Sequence, residues 1–415
     1  MIRKLSFLVA AVATLCGMIA GCRSSNENQE NPFVVISQPS FVQAWDLRIP
    51  LHEGDSVKGI YYLDGTVHVL TAQNYDQAVK GDSGELLYRN QVGSPDVTFR
   101  GAPTLVRDGI VFATDHTLEY YTRNGNFIRS VDVKYNITNQ AVGSNRDDSV
   151  YVGLDFSQGC LAQVDVTQDI DPVQWTFLTF GEVDGAIALS DGVIYCGSED
   201  GKVRACLEDR TPVWTLLPPD DAFDTQSKVF GSIAVDNAYC YCSTDSGRVL
   251  CLDKNTGKMQ WQYFSGQPLM TGPQVSDSGV YQYVPRQGLV AIDKSDKLSL
   301  SDQESVPSPL RTARWTLSNG LRVLTEDESY LYVTLATGGR NVGLAAVDKQ
   351  TGQIAFQTQR TDIQFLTSQP KAAVIYGATR SGLLVAFKPT LQPGSYGQLV
   401  DSQGPSSNQW PANAR

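Results

Sequence analysis

The chain repeats a β unit that no single copy of itself can bury. Residues 239–261 read YCYCSTDSGRVLCLDKNTGKMQW. Cys240 and Cys242 alternate with Tyr239 and Tyr241, the two-residue period of a strand. Thr244-Asp245-Ser246-Gly247 is turn chemistry, alternation resumes over 248–252, Asn255-Thr256-Gly257 turns again, and Trp261 lies in the strand that follows. Residues 193–214 repeat the pattern, with Cys196, Gly201, Val203 and Trp214 in matching places, and residues 330–356 repeat its second half through Asp348, Thr351, Gly352 and Phe356. Such a unit has two faces to cover, so it calls for neighbours of its own kind.

The units can be followed along the chain. Strands 59–63, 66–72 and 85–89 turn at Asp64-Gly65 and Ser83-Gly84; further units run over 98–133, 140–180, 185–217 and 230–264. A sixth begins at Gly272-Pro273 and blurs after Lys294, where 301–310 reads as an insertion, and a seventh spans 320–358. The last strands, 365–367, 373–378 and 383–388, are one short of four, and the isolated strand at 41–49 supplies the missing one. The outer-strand markers are Trp45, Tyr88, Ile128, Trp175, Trp214, Trp261, then Leu300 or Trp315, then Phe356. Their spacing of about 44 residues is that of four-stranded propeller blades. No helical periodicity of any length follows the N-terminal segment. The expectation is an all-β, eight-bladed β-propeller of four-stranded antiparallel blades at 41–388, closed by its N-terminal strand, with seven blades as the alternative. Closure of this kind removes the open sheet edge.

The ends read differently. Arg3 and Lys4 precede an apolar run over 5–20, and Ile19-Ala20-Gly21-Cys22 follows, so 1–21 is expected to be a lipoprotein signal peptide and Cys22 the lipidated residue. Residues 22–40 read as a flexible tether and 389–415 as a disordered tail. Arg23 after the cysteine points to the outer membrane, on its periplasmic side. The formal net charge of −11 disfavours nucleic acid as a partner.

The run SGRVLCLDKNTGKMQW at 246–261, with GLAAVDKQTGQIAF at 343–356, resembles the PQQ-like (quinoprotein-type) propeller repeat. With the cysteine at position 22, the chain is similar to the BamB class of bacterial lipoproteins. The resemblance implies a non-enzymatic, membrane-anchored scaffold for envelope proteins, with the outer-membrane barrel assembly machinery as a partner. A PQQ-dependent oxidoreductase and a ligand- or carbohydrate-binding surface lipoprotein are the alternatives. A propeller hosts many tasks, so the repeat speaks to fold and the site must speak to function.

Chemistry-bearing residues are sparse. Quinone enzymes of this fold carry adjacent cysteines, whereas Tyr241 separates Cys240 from Cys242 here; no catalytic residue, cofactor or metal is assigned. His52, His68 and His116 read as ordinary polar residues without clustered partners, and Asp220, Asp221 and Asp224 as a solvated loop. Trp45, Trp175, Trp214 and Trp261 read as packing between blades. Beyond Cys16 and Cys22, six cysteines fall in strands and read as small buried hydrophobes. Were Ser243 to pair with Arg248, Cys240 would lie opposite Cys251, close enough for a cross-strand disulfide.

Overall fold

The computed structural model describes residues 39–214, 223–294, 310–370 and 372–390. Their strands form eight sheets, one per blade, in which sequential strands pair antiparallel from the innermost outward. Blades 1 to 7 span 57–91, 104–132, 142–178, 188–224, 234–264, 274–317 and 320–357. Blade 8 combines Phe365–Ser368, Ile375–Ala378 and Leu383–Pro389 with the N-terminal strand Phe41–Arg48. That strand pairs from Phe41 opposite Pro389 to Arg48 opposite Leu383, with a bulge between Gln43 and Trp45. The expected closure is therefore present, and the ring has eight blades, not seven.

Four blades depart from the simple pattern. In blade 6 the outermost strand is Ala313–Leu317, so the marker is Trp315 and not Leu300. Just before it, Leu310–Arg311 pairs in parallel with Gln262 and Tyr263 on the outer edge of blade 5, making that sheet five-stranded. In blade 4, Trp214 is buried but lies outside any strand, and the outermost strand is the short Phe223–Asp224. Pro212 has no amide hydrogen to give to a ladder and forms an isolated bridge with Cys206. Blade 1 departs in its chemistry, described below.

The core sits between blades, built from a position that the outer-strand markers do not reveal. The second strand of six blades carries a fully buried tyrosine: Tyr151, Tyr195, Tyr241, Tyr281, Tyr332 and Tyr376. The cross-strand partner on the third strand is Ala205, Ala291, Ala346 or Ala386 in four of these and Cys251 in a fifth, which leaves room for the ring; Tyr151 faces Gln163. The outer-strand indole of the same blade packs on the tyrosine at 5.8–6.0 Å between ring centroids in blades 3, 4, 5, 6 and 8. Edge-tilted pairs at this distance are attractive beyond their buried area.

Each indole also reaches the next blade. Trp45 Nε1 donates to the Gly81 carbonyl at 3.0 Å, Trp175 to Glu208 at 3.1 Å, Trp214 to Lys254 at 3.0 Å and Trp315 to Lys349 at 2.9 Å. Every acceptor lies at or beside the turn between the third and fourth strands of the following blade. Gly84, Gly257 and Gly352 sit in those turns at φ of +75°, +68° and +72°, and a Cβ there would meet the indole at 2.8, 2.7 and 2.6 Å. Only glycine meets both requirements. In blades 1 and 2, where tryptophan is missing, another donor serves: Asn90 Nδ2 to the Gly125 carbonyl at 2.6 Å, and Arg129 Nη1 to the Thr167 carbonyl at 2.6 Å. Trp261 is the exception. Its indole nitrogen is buried and has no acceptor among the described residues. Blade 6 has no short turn there, because its third strand ends at Ile292 and its fourth begins at Ala313.

The proposed Cys240–Cys251 bridge is ruled out by register. Ser243 pairs with Val249 and not Arg248, which places Cys240 opposite Leu252 and Cys251 opposite Tyr241. A one-residue shift sends a side chain to the other face of the sheet. Cys240 thus packs at the seam with blade 4 and Cys251 at the seam with blade 6. All six cysteines of the described residues are buried free thiols. Burial pushes the Cys196 thiol up to about 11 and the Cys242 thiol up to about 12.

Candidate functional site

In each blade the fourth strand starts from the 3–4 turn, so one face of the ring carries the 1–2 and 3–4 turns. The other carries the 2–3 turns and the crossovers between blades. The backbone bonds agree: Gly81 N donates to Gly65 O, joining a 3–4 turn to a 1–2 turn, and Val92 N donates to Asn74 O, joining a crossover to a 2–3 turn.

A cleft of about 910 Å³ opens on the outer edge of blades 3 and 4. Thr176, Phe177 and Leu178 of the blade 3 edge strand form its floor, with Phe156 and Ser157 at one end and Asp209, Arg210, Thr211 and Pro212 at the other. Arg210 Nη1 holds the floor by donating to the Thr176 carbonyl at 3.2 Å. Beyond the cleft, Phe180 stands in the crossover with 64% of its surface exposed, beside Leu178 at 40%. The Thr179 amide donates to Gly159 O at 3.0 Å, tying this crossover to the loop that carries Phe156.

Backbone strain collects here. Ser157, Gln158, Phe180 and Arg210 all adopt left-handed φ, of 50°, 74°, 55° and 73°. This conformation costs a side-chain-bearing residue about 1–2 kcal/mol and is worst for bulky ones. An exposed phenylalanine held in it gains no burial in return. Strain kept at the surface, next to a cleft and an exposed aromatic, singles out this surface as the candidate contact site. No pattern in the sequence announces this: Phe180 ends a strand-like run and reads as its last buried residue.

The residues weighed for chemistry lie apart from the cleft. His68 does have partners. Its Nδ1 lies 2.9 Å from Asp76 Oδ2, and Tyr88 donates its hydroxyl to the same oxygen at 3.1 Å. His68 and Asp76 are 2% and 1% exposed, at the seam between blades 1 and 2. His68 stands opposite Ala78, where other blades carry the buried tyrosine. The trio is the blade 1 version of the aromatic pair, with a hydrogen-bonded histidine and aspartate in place of the tyrosine. Sequence spacing hid it because the contact is diagonal across a hairpin. His52 packs on Tyr75 at 4.7 Å, and His116 lies in the turn before Thr117–Thr122. Asp220 and Asp221, like Cys22, lie outside the described residues. Near the ring axis, Arg322 on the innermost strand of blade 7 donates to the Leu366 carbonyl of blade 8, and burial brings its guanidinium down to about 10. Asp184, in the crossover into blade 4, is pushed up to about 6 by burial, then by Glu182 and Glu199, against Lys228 and Arg100. Among the described residues no three His, Cys, Asp or Glu side chains stand where they could share a metal ion.

Residues 199–392 match a family model described as outer membrane protein assembly factor BamB. No curated protein sequence matches the chain. Among solved structures, BamB from Moraxella catarrhalis is similar at 16% identity and a TM-score of 0.61, covering 86% of this chain and 99% of that one. The computationally designed Ika8 protein is similar at 15% identity and a TM-score of 0.54, covering 80% and 96%. Likeness at these identities speaks to fold alone. The chain as a whole is thus an eight-bladed propeller, and its segment from the blade 4 hairpin onward, residues 199–392, is similar to the BamB family model.

Proposed function

We propose that this protein is a non-enzymatic scaffold of the bacterial envelope, lipid-anchored through Cys22 to the periplasmic side of the outer membrane, and that it works in outer-membrane protein assembly. The carrying observation is the strained, exposed surface at blades 3 and 4, where Phe180 and Leu178 flank a cleft of about 910 Å³. Its chemistry suits a protein partner: aromatic anchors beside a polar rim of Asp209, Arg210 and Thr211. The match of residues 199–392 to the model of an outer-membrane protein assembly factor supports the assembly role and makes the barrel assembly machinery the partner to look for.

The test is cross-linking and affinity capture from envelope membranes with the intact lipoprotein, read by identifying the captured chains. The barrel assembly machinery should be recovered with the wild type. Recovery should fall at least tenfold with Phe180→Glu, a change at an exposed position that leaves the ring folded. Capture unaffected by Phe180→Glu would remove this surface from the proposal. Oxidation of alcohols or sugars by the protein supplied with PQQ and Ca²⁺ would overturn the non-enzymatic reading.

A further inference from the structure

The chain enters the ring at Phe41, opposite Pro389 where it leaves. Phe41 begins the outermost strand of blade 8, so both ends lie on the face that carries the 1–2 and 3–4 turns. The outer rim of that face carries exposed apolar side chains in five successive blades, set among charged turn residues such as Asp82, Asp169 and Asp171. Consecutive blades expose a large apolar side chain at the start of the outermost strand or in the turn before it. These are Ile354 in blade 7 (38% exposed), Val42 in blade 8 (44%), Leu87 in blade 1 (48%), Phe127 in blade 2 (58%) and Ile170 in blade 3 (82%). Single exposed apolar residues are ordinary on protein surfaces. A run over five neighbouring blades, with the entry point of the chain inside it, is not explained by the packing of any one blade.

We propose that this rim rests on a lipid bilayer, with Leu87 of blade 1 and Phe127 of blade 2 dipping into the headgroup region beside the entry of the chain in blade 8. The inference rests on the lipid anchor at Cys22. The length of chain outside the ring supports it: eighteen residues separate Cys22 from Phe41. They reach at most about 65 Å, which keeps the ring at high effective concentration near the membrane, so individually weak apolar contacts suffice. The opposite face, with Phe180, then points away from the membrane and is free for a partner.

The test uses the full-length acylated protein in phosphatidylcholine vesicles. An environment-sensitive fluorophore is attached at Leu87→Cys, at Phe127→Cys and, on the opposite face, at Phe180→Cys; the six thiols of the described residues are buried and Cys22 is blocked by its acyl group in the acylated protein, so only the introduced cysteine labels. Nitroxide-bearing lipids should quench the label at positions 87 and 127 at least threefold more than at 180. Equal quenching at all three positions, or a blue shift at 87 and 127 without lipid quenching, which is the mark of a protein neighbour, would overturn the proposal. The anchor is tested separately in the same samples, by flotation with vesicles and by the acyl mass on Cys22. A protein that floats and yet shows no quenching at 87 and 127 refutes the rim and leaves the anchor standing. A protein that lacks the acyl mass and does not float defeats both.

Discussion

Trp261 and Trp315 occupy equivalent places in successive blades and differ in one bond, which allows the seam interaction to be weighed. Trp315 donates to the Lys349 carbonyl at 2.9 Å, whereas the buried Trp261 nitrogen has no acceptor among the described residues. Replacing either by phenylalanine removes the same atoms from a nearly closed core, at 7% and 0% exposure, so the loss of packing is comparable and somewhat larger at 261. At 315 the change also strands the Lys349 carbonyl. This acceptor is part-buried, so losing its donor costs up to about 1–3 kcal/mol. At 261 the change instead removes a donor that has no acceptor among the described residues, which strands no carbonyl there and offsets part of the packing loss. Trp315→Phe should therefore be less stable than Trp261→Phe by up to about 1–3 kcal/mol. Trp214→Phe should fall between them, because Tyr195 still donates to the Lys254 carbonyl at 3.4 Å. The assay is equilibrium urea unfolding followed by far-UV circular dichroism, which does not depend on the tryptophans. Midpoints are compared only among variants whose transition slopes agree. If Trp261→Phe proves as destabilising as Trp315→Phe, the indole-to-carbonyl bonds do not hold the seams.

Three more expectations can be checked on the same protein. Gly352→Ala places a methyl group 2.6 Å from the Trp315 ring at a φ of +72°, and should lower stability by more than the roughly 1 kcal/mol of an ordinary glycine-to-alanine change at left-handed φ, with no such loss at the open Gly266. Asp184 is raised to about 6 in the folded protein, above the ordinary carboxylate value. The folded state therefore holds this proton more tightly, and its contribution is full below about pH 4 and lost as pH rises through 6. Asp184→Asn should raise stability at pH 7.5 by about 1 kcal/mol after allowance for partial exposure, and leave it unchanged at pH 4, as read from urea midpoints at the two values. The six buried thiols should resist maleimide in the native protein and react once it is unfolded in urea, and dithiothreitol should leave the native midpoint unmoved; a midpoint that drops on reduction would reveal a disulfide.

Much of the ring was legible without coordinates because a propeller blade is a local object. Alternation in 239–243 and 248–253, glycine at 247 and 257, and the return of an aromatic at about 44-residue spacing each follow from strand pleating and turn geometry within one hairpin. The isolated strand at 41–48 and the short last unit together demanded closure, since an unpaired sheet edge is costly. The site was not legible in the same way. Whether Cys240 faces Cys251 turns on a one-residue register set by how the Thr244–Gly247 turn closes. The partners of His68 and the acceptors of the tryptophans come from a neighbouring strand or a neighbouring blade, which no spacing within a unit encodes. Phe180 and Phe127 look like strand residues in the chain, and only the assembled ring leaves them outside, one on each face. Local pattern decided that there are blades and how the ring shuts. Tertiary packing decided which donors meet acceptors, which apolar residues stay in water, and therefore where this protein can be touched.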